Sequence, residues 1–417
     1  KADSVEMQAW LRVWTSWQPD VLIDNHTTDG HDHQYVLFYA ATDAADVAEP
    51  IRNWVRARLY PNVLPQMASD GHLVLPYSFP QDGDPAKGIQ VIPPMGPRLS
   101  TGYAAACNRV GILVETHALL PYGPRVQATY DFLRYVLRAV GEHAGELRTA
   151  VQAADEQCAR VRGGECGGEM PLVFARAEGP RPITFHGVVQ AIRQSEISGG
   201  QVIDYTKEPL DITTELYDQF KISAAVDPPR AYLVPPQWTD VIRRLELHGI
   251  QLRRLTVRTV IEVESYRFED VKLRNSSYEG RQPAEYKLVP LRETRAYPAG
   301  SVLVRLDQPR AKLAVHMLEP AADDSCAAWG CFNAIFEQKE YAEAYVLEPL
   351  ARQMLADEPG LREEFETRLK SDAEFAKSPQ ERLRFFYQRS EYRDRLRNVY
   401  PVGRLTDAAA LEQLPVR

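Results

Sequence analysis

Two short apolar runs stand out against the mixed polar background of the chain. Val21-Leu-Ile23 follows a proline and is closed by Asp29-Gly30, and Ile112-Leu-Val114 lies between Gly111 and Glu115. Short aliphatic runs bounded by turn residues predict buried strands. Ahead of the first, Met7, Trp10, Leu11 and Trp14 recur at helical spacing with Asp3 or Ser4 available as a cap. An amphipathic helix stopped by Pro19 is predicted there. Tyr35–Tyr39 predicts a further strand, Asp43–Leu59 a helix broken at Glu49-Pro50, and Pro61–Pro97 a long, ordered loop region. From Arg125 to about Arg162 the pattern predicts one long helix carrying Val126, Tyr130, Leu133, Val136 and Leu137 on its apolar face.

Gly163–Gly168 and Glu178–Pro182 then read as a boundary. Beyond it the period changes to short β-like runs: Thr184–Val189, Ala231–Val234, Val257–Val263, Tyr286–Val289 and Ser301–Val304. These predict an antiparallel β-rich domain. Phe332 to about Arg397 is charged and helical, its charge runs reading as solvated faces with i,i+4 pairs. The expected organisation is an α/β domain over residues 1–165, a β-rich accessory domain over 180–325 and a helical region over 326–417.

Composition narrows the function classes. The 417 residues carry 57 acidic against 49 basic side chains, a net charge of −8. With no basic run interleaved with aromatics, nucleic acid is not the expected partner. No apolar run approaches the ~18 residues of a membrane span. The cysteines at 107, 158, 166, 326 and 331 show no CxxC spacing, which argues against a zinc ribbon. Cys158/Cys166 and Cys326/Cys331 are each open to two readings, a local disulfide or buried free thiols.

The chemistry is expected at the ends of the two apolar runs. In open α/β sheets, ligand sites lie outside the carboxyl ends of the strands, and His26 and Glu115 stand there if the strands share a sheet. A neutral imidazole suits zinc, and Asp24 or Asp29 can orient it through its second nitrogen; an exposed loop histidine is the alternative. A glutamate at the end of an apolar strand is partly desolvated, which raises its pKa toward a range useful for acid–base work. The alternative is a strand-end Glu paired with Arg98 or Arg109. His31 and His33 suggest a rival metal cluster with His26, and His117 shares the strand face of Glu115, either lining the pocket or packed.

Asp24-Asn-His-Thr-Thr-Asp-Gly30, Pro97-Arg-Leu-Ser-Thr-Gly-Tyr103, Asn108-Arg-Val-Gly-Ile-Leu-Val-Glu-Thr-His117 and Arg125-Val126 together resemble the carboxypeptidase A-like zinc carboxypeptidases, in particular bacterial members with a C-terminal extension. The resemblance covers about Lys1 to Val140, and more vaguely the later tail. It implies a mixed-sheet α/β/α hydrolase fold, a Zn2+ cofactor with His26 as one ligand, and Glu115 as the general base and acid. Arg98 would clamp a substrate carboxylate, and Tyr103 would steady the tetrahedral intermediate. The expected substrate is a peptide or peptidoglycan-like chain cleaved at its C-terminal amide bond, in a periplasmic or secreted protein. The family's other zinc ligands form a His-x-x-Glu pair upstream of the His26 position, and Lys1–Asp24 contains no histidine. The expectation is therefore a fragment of a longer protein, binding zinc weakly and inactive alone. His143-Ala-Gly-Glu146 and His316-Met-Leu-Glu319 match that spacing but fall on the wrong side of His26. Two other activities stay open: a zinc-dependent deacylase of acyl-amino acids, and a non-catalytic module whose β-rich part binds a polysaccharide or protein surface.

Overall fold

The computed structural model describes residues 1–160, 169–339 and 341–417. Ser4 caps helix α1 (Val5–Trp17), its hydroxyl accepting from the Met7 N–H at 3.1 Å, and Gln18 ends it in the left-handed region ahead of Pro19. Strands β1 (Val21–Thr27) and β2 (Leu37–Ala41) follow, then helices α2 (Glu49–Trp54) and α3 (Tyr60–Ser69) joined by a π-helical turn over Val55–Leu59. Three short strands, β3 (Val74–Pro76), β4 (Ser78–Pro80) and β5 (Ile89–Val91), lead to helix α4 (Ser100–Ala106) and strand β6 (Val110–Thr116). Helices α5 (Tyr122–Glu142) and α6 (Ala144–Ala159) complete this region.

The first sheet runs β1-β6-β2-β3. β1 is parallel to β6, and β2 is antiparallel to β6 and parallel to β3. Every residue of β6 is buried, as befits an aliphatic strand covered on both faces. One face, with Leu37, Ile112 and Val114, packs against Ile51, Trp54, Phe132, Val136 and Val151 of the helices. Each such fully buried side chain contributes about 1.5–3 kcal/mol. On the other face α4 lies directly on the start of β6. A Cβ on Gly111 would stand 2.9 Å from the Thr101 Cα and 2.8 Å from the Ala104 Cβ, so only glycine permits this approach.

Two helical expectations change. The helix begins at Glu49, not Asp43, and continues past Pro61 and Pro65 to Ser69. The π turn restarts the helical ladder, so Pro61 falls in the first turn of α3, where a missing N–H costs nothing. The single helix from Arg125 is two, divided at His143, and it buries a different face. Ala128, Asp131, Phe132, Tyr135, Val136 and Ala139 face inward, while Val126, Tyr130 and Leu137 are exposed.

Strands β7 (Met170–Arg176), β8 (Arg181–Gln194), β9 (Gln201–Tyr217) and β10 (Phe220–Val226) follow. The long β8–β9 hairpin extends the β4-β5 pair into a four-stranded sheet, and β7 pairs with β10. Next come β11 (Ala231–Val234), α7 (Thr239–Leu247), β12 (Arg253–Arg254), β13 (Thr259–Leu273), β14 (Ala284–Tyr297), β15 (Val302–Arg305) and α8 (Ala311–Leu318). Helices α9 (Ala344–Asp357), α10 (Pro359–Ser371), α11 (Ala373–Lys377) and α12 (Pro379–Tyr387) form the tail around Leu361, Phe365, Phe375, Phe385 and Phe386. Strand β16 (Gly403–Leu405) returns into the middle of an antiparallel six-stranded sheet ordered β12-β15-β11-β16-β13-β14. The chain is thus a mixed α/β region followed by a β-rich region and a helical tail. Leu11 and Trp14 of α1 and Ala104 and Ala106 of α4 share one apolar cluster with Tyr232, Val234, Leu313 and Val315. The Gly163–Gly168 boundary and Cys166 lie outside the described residues. No described helix is long and apolar enough to cross a membrane.

Candidate functional site at the ends of two parallel strands

Because β1 and β6 are parallel neighbours, their apolar runs end together and His26 stands in register with Glu115. Asp24 is in register with Leu113, so Asp24, His26 and Glu115 share one face of the sheet. It is the face opposite the helical layer, and α4 covers only the start of β6. The loop after β1 is held by the Thr28 N–H donating to the Thr116 carbonyl at 2.8 Å and the Ala118 N–H donating to the Thr28 hydroxyl at 3.1 Å. The Thr116 hydroxyl donates to the His26 carbonyl at 3.0 Å.

His26 is half-exposed, with its Nε2 2.9 Å from Asp24 Oδ1. A proton held on Nε2 by that carboxylate leaves Nδ1 as the nitrogen with a free lone pair, which fixes the tautomer. Asp24, rather than Asp29, is the orienting partner. Glu115 is 7% exposed and its Oε2 is buried with no hydrogen-bond partner. Desolvation pushes its carboxyl up to about 7, His26 pulls it down in part, and Asp29 and Asp24 push it further up. A buried carboxyl titrating near neutrality with an unused oxygen can both accept and return a proton.

Tyr77 joins this pair. Its hydroxyl is pushed up to about 12 by burial and by the charges of Glu115 and Asp29. Nothing in the sequence marked it, since Leu75-Pro76-Tyr77 fell within a stretch read as loop. Arg125, in the first turn of α5, has a buried Nε with no hydrogen-bond partner and lowers the His117 pKa by its charge, behind the larger effect of burial.

The remaining sequence-derived residues fall elsewhere. Arg98 pairs with Glu279 (Nη1 to Oε1, 3.2 Å), and its N–H donates to Asp324 at 3.1 Å. Tyr103 is buried with its hydroxyl 3.0 Å from His248 Nδ1 and its ring against Trp10 and Trp14. Neither contacts His26 or Glu115. Both face the β-rich region.

His31 and His33 do not gather with His26. The His33 ring stacks on His117 at 4.1 Å, His31 Nδ1 lies 3.1 Å from the Tyr205 hydroxyl, and His117 Nε2 lies 3.2 Å from Asp32 Oδ1. Burial lowers His31 to about 4 and His33 to about 3, so both stay neutral. His143 and Glu146 pair at 3.2 Å with Glu146 also on Arg58. His316 is buried, and Glu319 is fully engaged by Tyr232, Tyr266 and Arg404.

Among the described residues no group of three His, Cys, Asp or Glu side chains is placed to hold a metal ion. A catalytic zinc needs three protein ligands and an open position. His26 fits as one of them, and the described residues do not complete the set.

The structure is mixed α/β, with a buried carboxyl and a carboxylate-paired imidazole in register at the ends of two parallel strands. The chain is 39% identical over 124 residues to carboxypeptidase 2 of Trichophyton equinum, covering 29% of this chain and 22% of that protein. It is 36% identical over 102 residues to carboxypeptidase 2 of Trichophyton rubrum, covering 24% and 19%, and 31% identical over 128 residues to the probable carboxypeptidase 2 of Arthroderma benhamiae, covering 31% and 23%. These relatives are fungal, whereas the sequence resemblance pointed to bacterial proteins. The chain spans about a fifth of the length of the curated relatives it matches. No family model matches the chain, and no solved structure matches it significantly.

Proposed function

We propose that the chain is part of a carboxypeptidase-like hydrolase that cleaves the C-terminal amide bond of a peptide. The observation that carries this is the register of His26 with Glu115 on adjacent parallel strands, with the Glu115 Oε2 unpartnered. In this reading Glu115 takes a proton from the attacking water and delivers it to the leaving amine. Asp24 keeps the His26 proton on Nε2 and presents Nδ1 as a ligand. Zinc, when held by His26 and ligands outside the described residues, would polarise the scissile carbonyl. Arg98 is committed to Glu279 and Asp324, so Arg125 is the better-placed guanidinium for a substrate carboxylate.

The test uses the longest native protein containing this segment. Glu115→Gln should lower kcat by about 10²–10⁴-fold while bound zinc is retained, and His26→Ala should lose the zinc. A Glu115→Gln enzyme that keeps full turnover would sink the proposal. The engagement of Arg98 also favours a second reading, deacylation of acyl-amino acids by a pocket lacking a carboxylate clamp. Rates on blocked dipeptides with free and amidated C-termini separate the two, since only the carboxypeptidase loses its rate on amidation.

A further inference from the structure

The turn after α8 brings two cysteines together by backbone geometry. The Cys331 N–H donates to the Cys326 carbonyl at 2.9 Å, and the Gly330 N–H donates to the Ala327 carbonyl at 2.9 Å. Gly330 lies in the left-handed region at φ +74. These two bonds and the left-handed glycine form a Schellman closure, in which the side chains flanking the closure normally make an apolar contact. Here that contact consists of two free thiols. A Cβ at Gly330 would collide with the Gln282 carbonyl, so the segment just before β14 packs directly on the closure.

The surroundings are not those of an apolar contact. Arg281 Nη1 lies 3.5 Å from Cys331 Sγ, and Arg244 and Lys1 line the same small cleft, which also contains Cys326 and Trp329; both guanidiniums are shared with the carboxylates of Asp3 and Asp240. Cys326 is buried and Cys331 is half-buried. Donation from the Cys326 thiol lowers the Cys331 pKa, with burial and Asp240 opposing and Arg281 and Arg244 assisting. Thiols in electropositive, accessible surroundings are the reactive ones, and inert structural cysteines are buried in apolar ones.

We propose that Cys326 and Cys331 form a redox-active dithiol that closes reversibly to a disulfide, with Cys331 attacking and Cys326 resolving. The oxidant is a low-molecular-weight disulfide. The Cys331 thiolate attacks one of its sulfurs, breaking the S–S bond, forming a mixed disulfide and releasing one thiolate, which takes a proton. Cys326 gives its proton to solvent and attacks Cys331 Sγ, releasing the second thiolate. The protein loses two electrons and two protons, and the small disulfide gains both.

The test equilibrates the intact chain across ratios of reduced to oxidised glutathione, quenches with acid and reads the tryptic peptide Leu313–Lys339, which holds both cysteines. The expected product is that peptide lacking two hydrogens, restored by dithiothreitol, with Cys107 and Cys158 unmodified. In Cys326→Ser the mixed disulfide should accumulate on Cys331, and Cys331→Ser should form neither product. Both thiols remaining alkylatable under excess oxidised glutathione, or adducts forming on Cys107 or Cys158 instead, would overturn the proposal. In Cys326→Ser, adding Arg281→Gln should shift the pH midpoint of Cys331 alkylation upward; an unmoved midpoint would remove Cys331 from the attacking role.

Discussion

Two glutamates, one in each half of the molecule, are both buried and are partnered in opposite ways. Glu319, in the β-rich region, is fully enclosed. Its Oε1 accepts from the Tyr232 hydroxyl at 2.7 Å and Arg404 Nε at 2.8 Å, and its Oε2 accepts from the Tyr266 hydroxyl at 3.0 Å. Glu115, 7% exposed at the end of β6, leaves Oε2 without a donor. Burial alone therefore says little about a carboxylate. A saturated one is part of the scaffold, while an unsaturated one is held ready for something that arrives.

The largest test of this contrast is Glu319→Ala. Removing one partner of a buried ion pair should cost about 3–5 kcal/mol, read as a lowered urea midpoint by tryptophan fluorescence. A loss below about 1 kcal/mol would erase the distinction. Glu115 should behave in the reverse sense. Its folded carboxyl holds a proton up to about 7, against an ordinary value of 4.5. Its contribution is thus fully present below pH 4.5 and is lost as pH rises through 7. Wild-type stability should fall by roughly 1–2 kcal/mol across that window, after solvent screening at the strand end. Glu115→Gln should lack that slope, and denaturation curves at pH 4.5 and 8 that differ equally in both proteins would refute the assignment. The smallest effect belongs to Asp24→Asn. Its pair with His26 is half-exposed, so the stability change should stay within about 0.5 kcal/mol.

The sequence made the strand ends legible because β1 and β6 are aliphatic runs with a chemistry-bearing residue directly behind each. It did not disclose what Arg98 and Tyr103 do, since their partners Glu279, Asp324 and His248 lie more than a hundred residues away. The buried face of α5 escaped for a related reason. It relies on the small Ala128 and Ala139 and on Asp131, which His72 and Gln127 satisfy at 3.1 and 2.8 Å. The more conspicuous stripe of Val126, Tyr130 and Leu137 is on the outside. Helix α3 was hidden by its prolines. Tyr77 gave no pattern at all, because its position depends on β3 lying beside β2.

The strand that carries His26 has a neighbour on one side only among the described residues, β6. Its outer row of backbone amides and carbonyls can template a strand from another molecule, and charged or strongly polar side chains are what discourage such growth. In β1 such side chains include Asp24 and His26, which also belong to the site. Substitutions made there to silence chemistry also strip the edge of its protection. Solubility at high concentration, rather than folding, is where such variants should first show their defect.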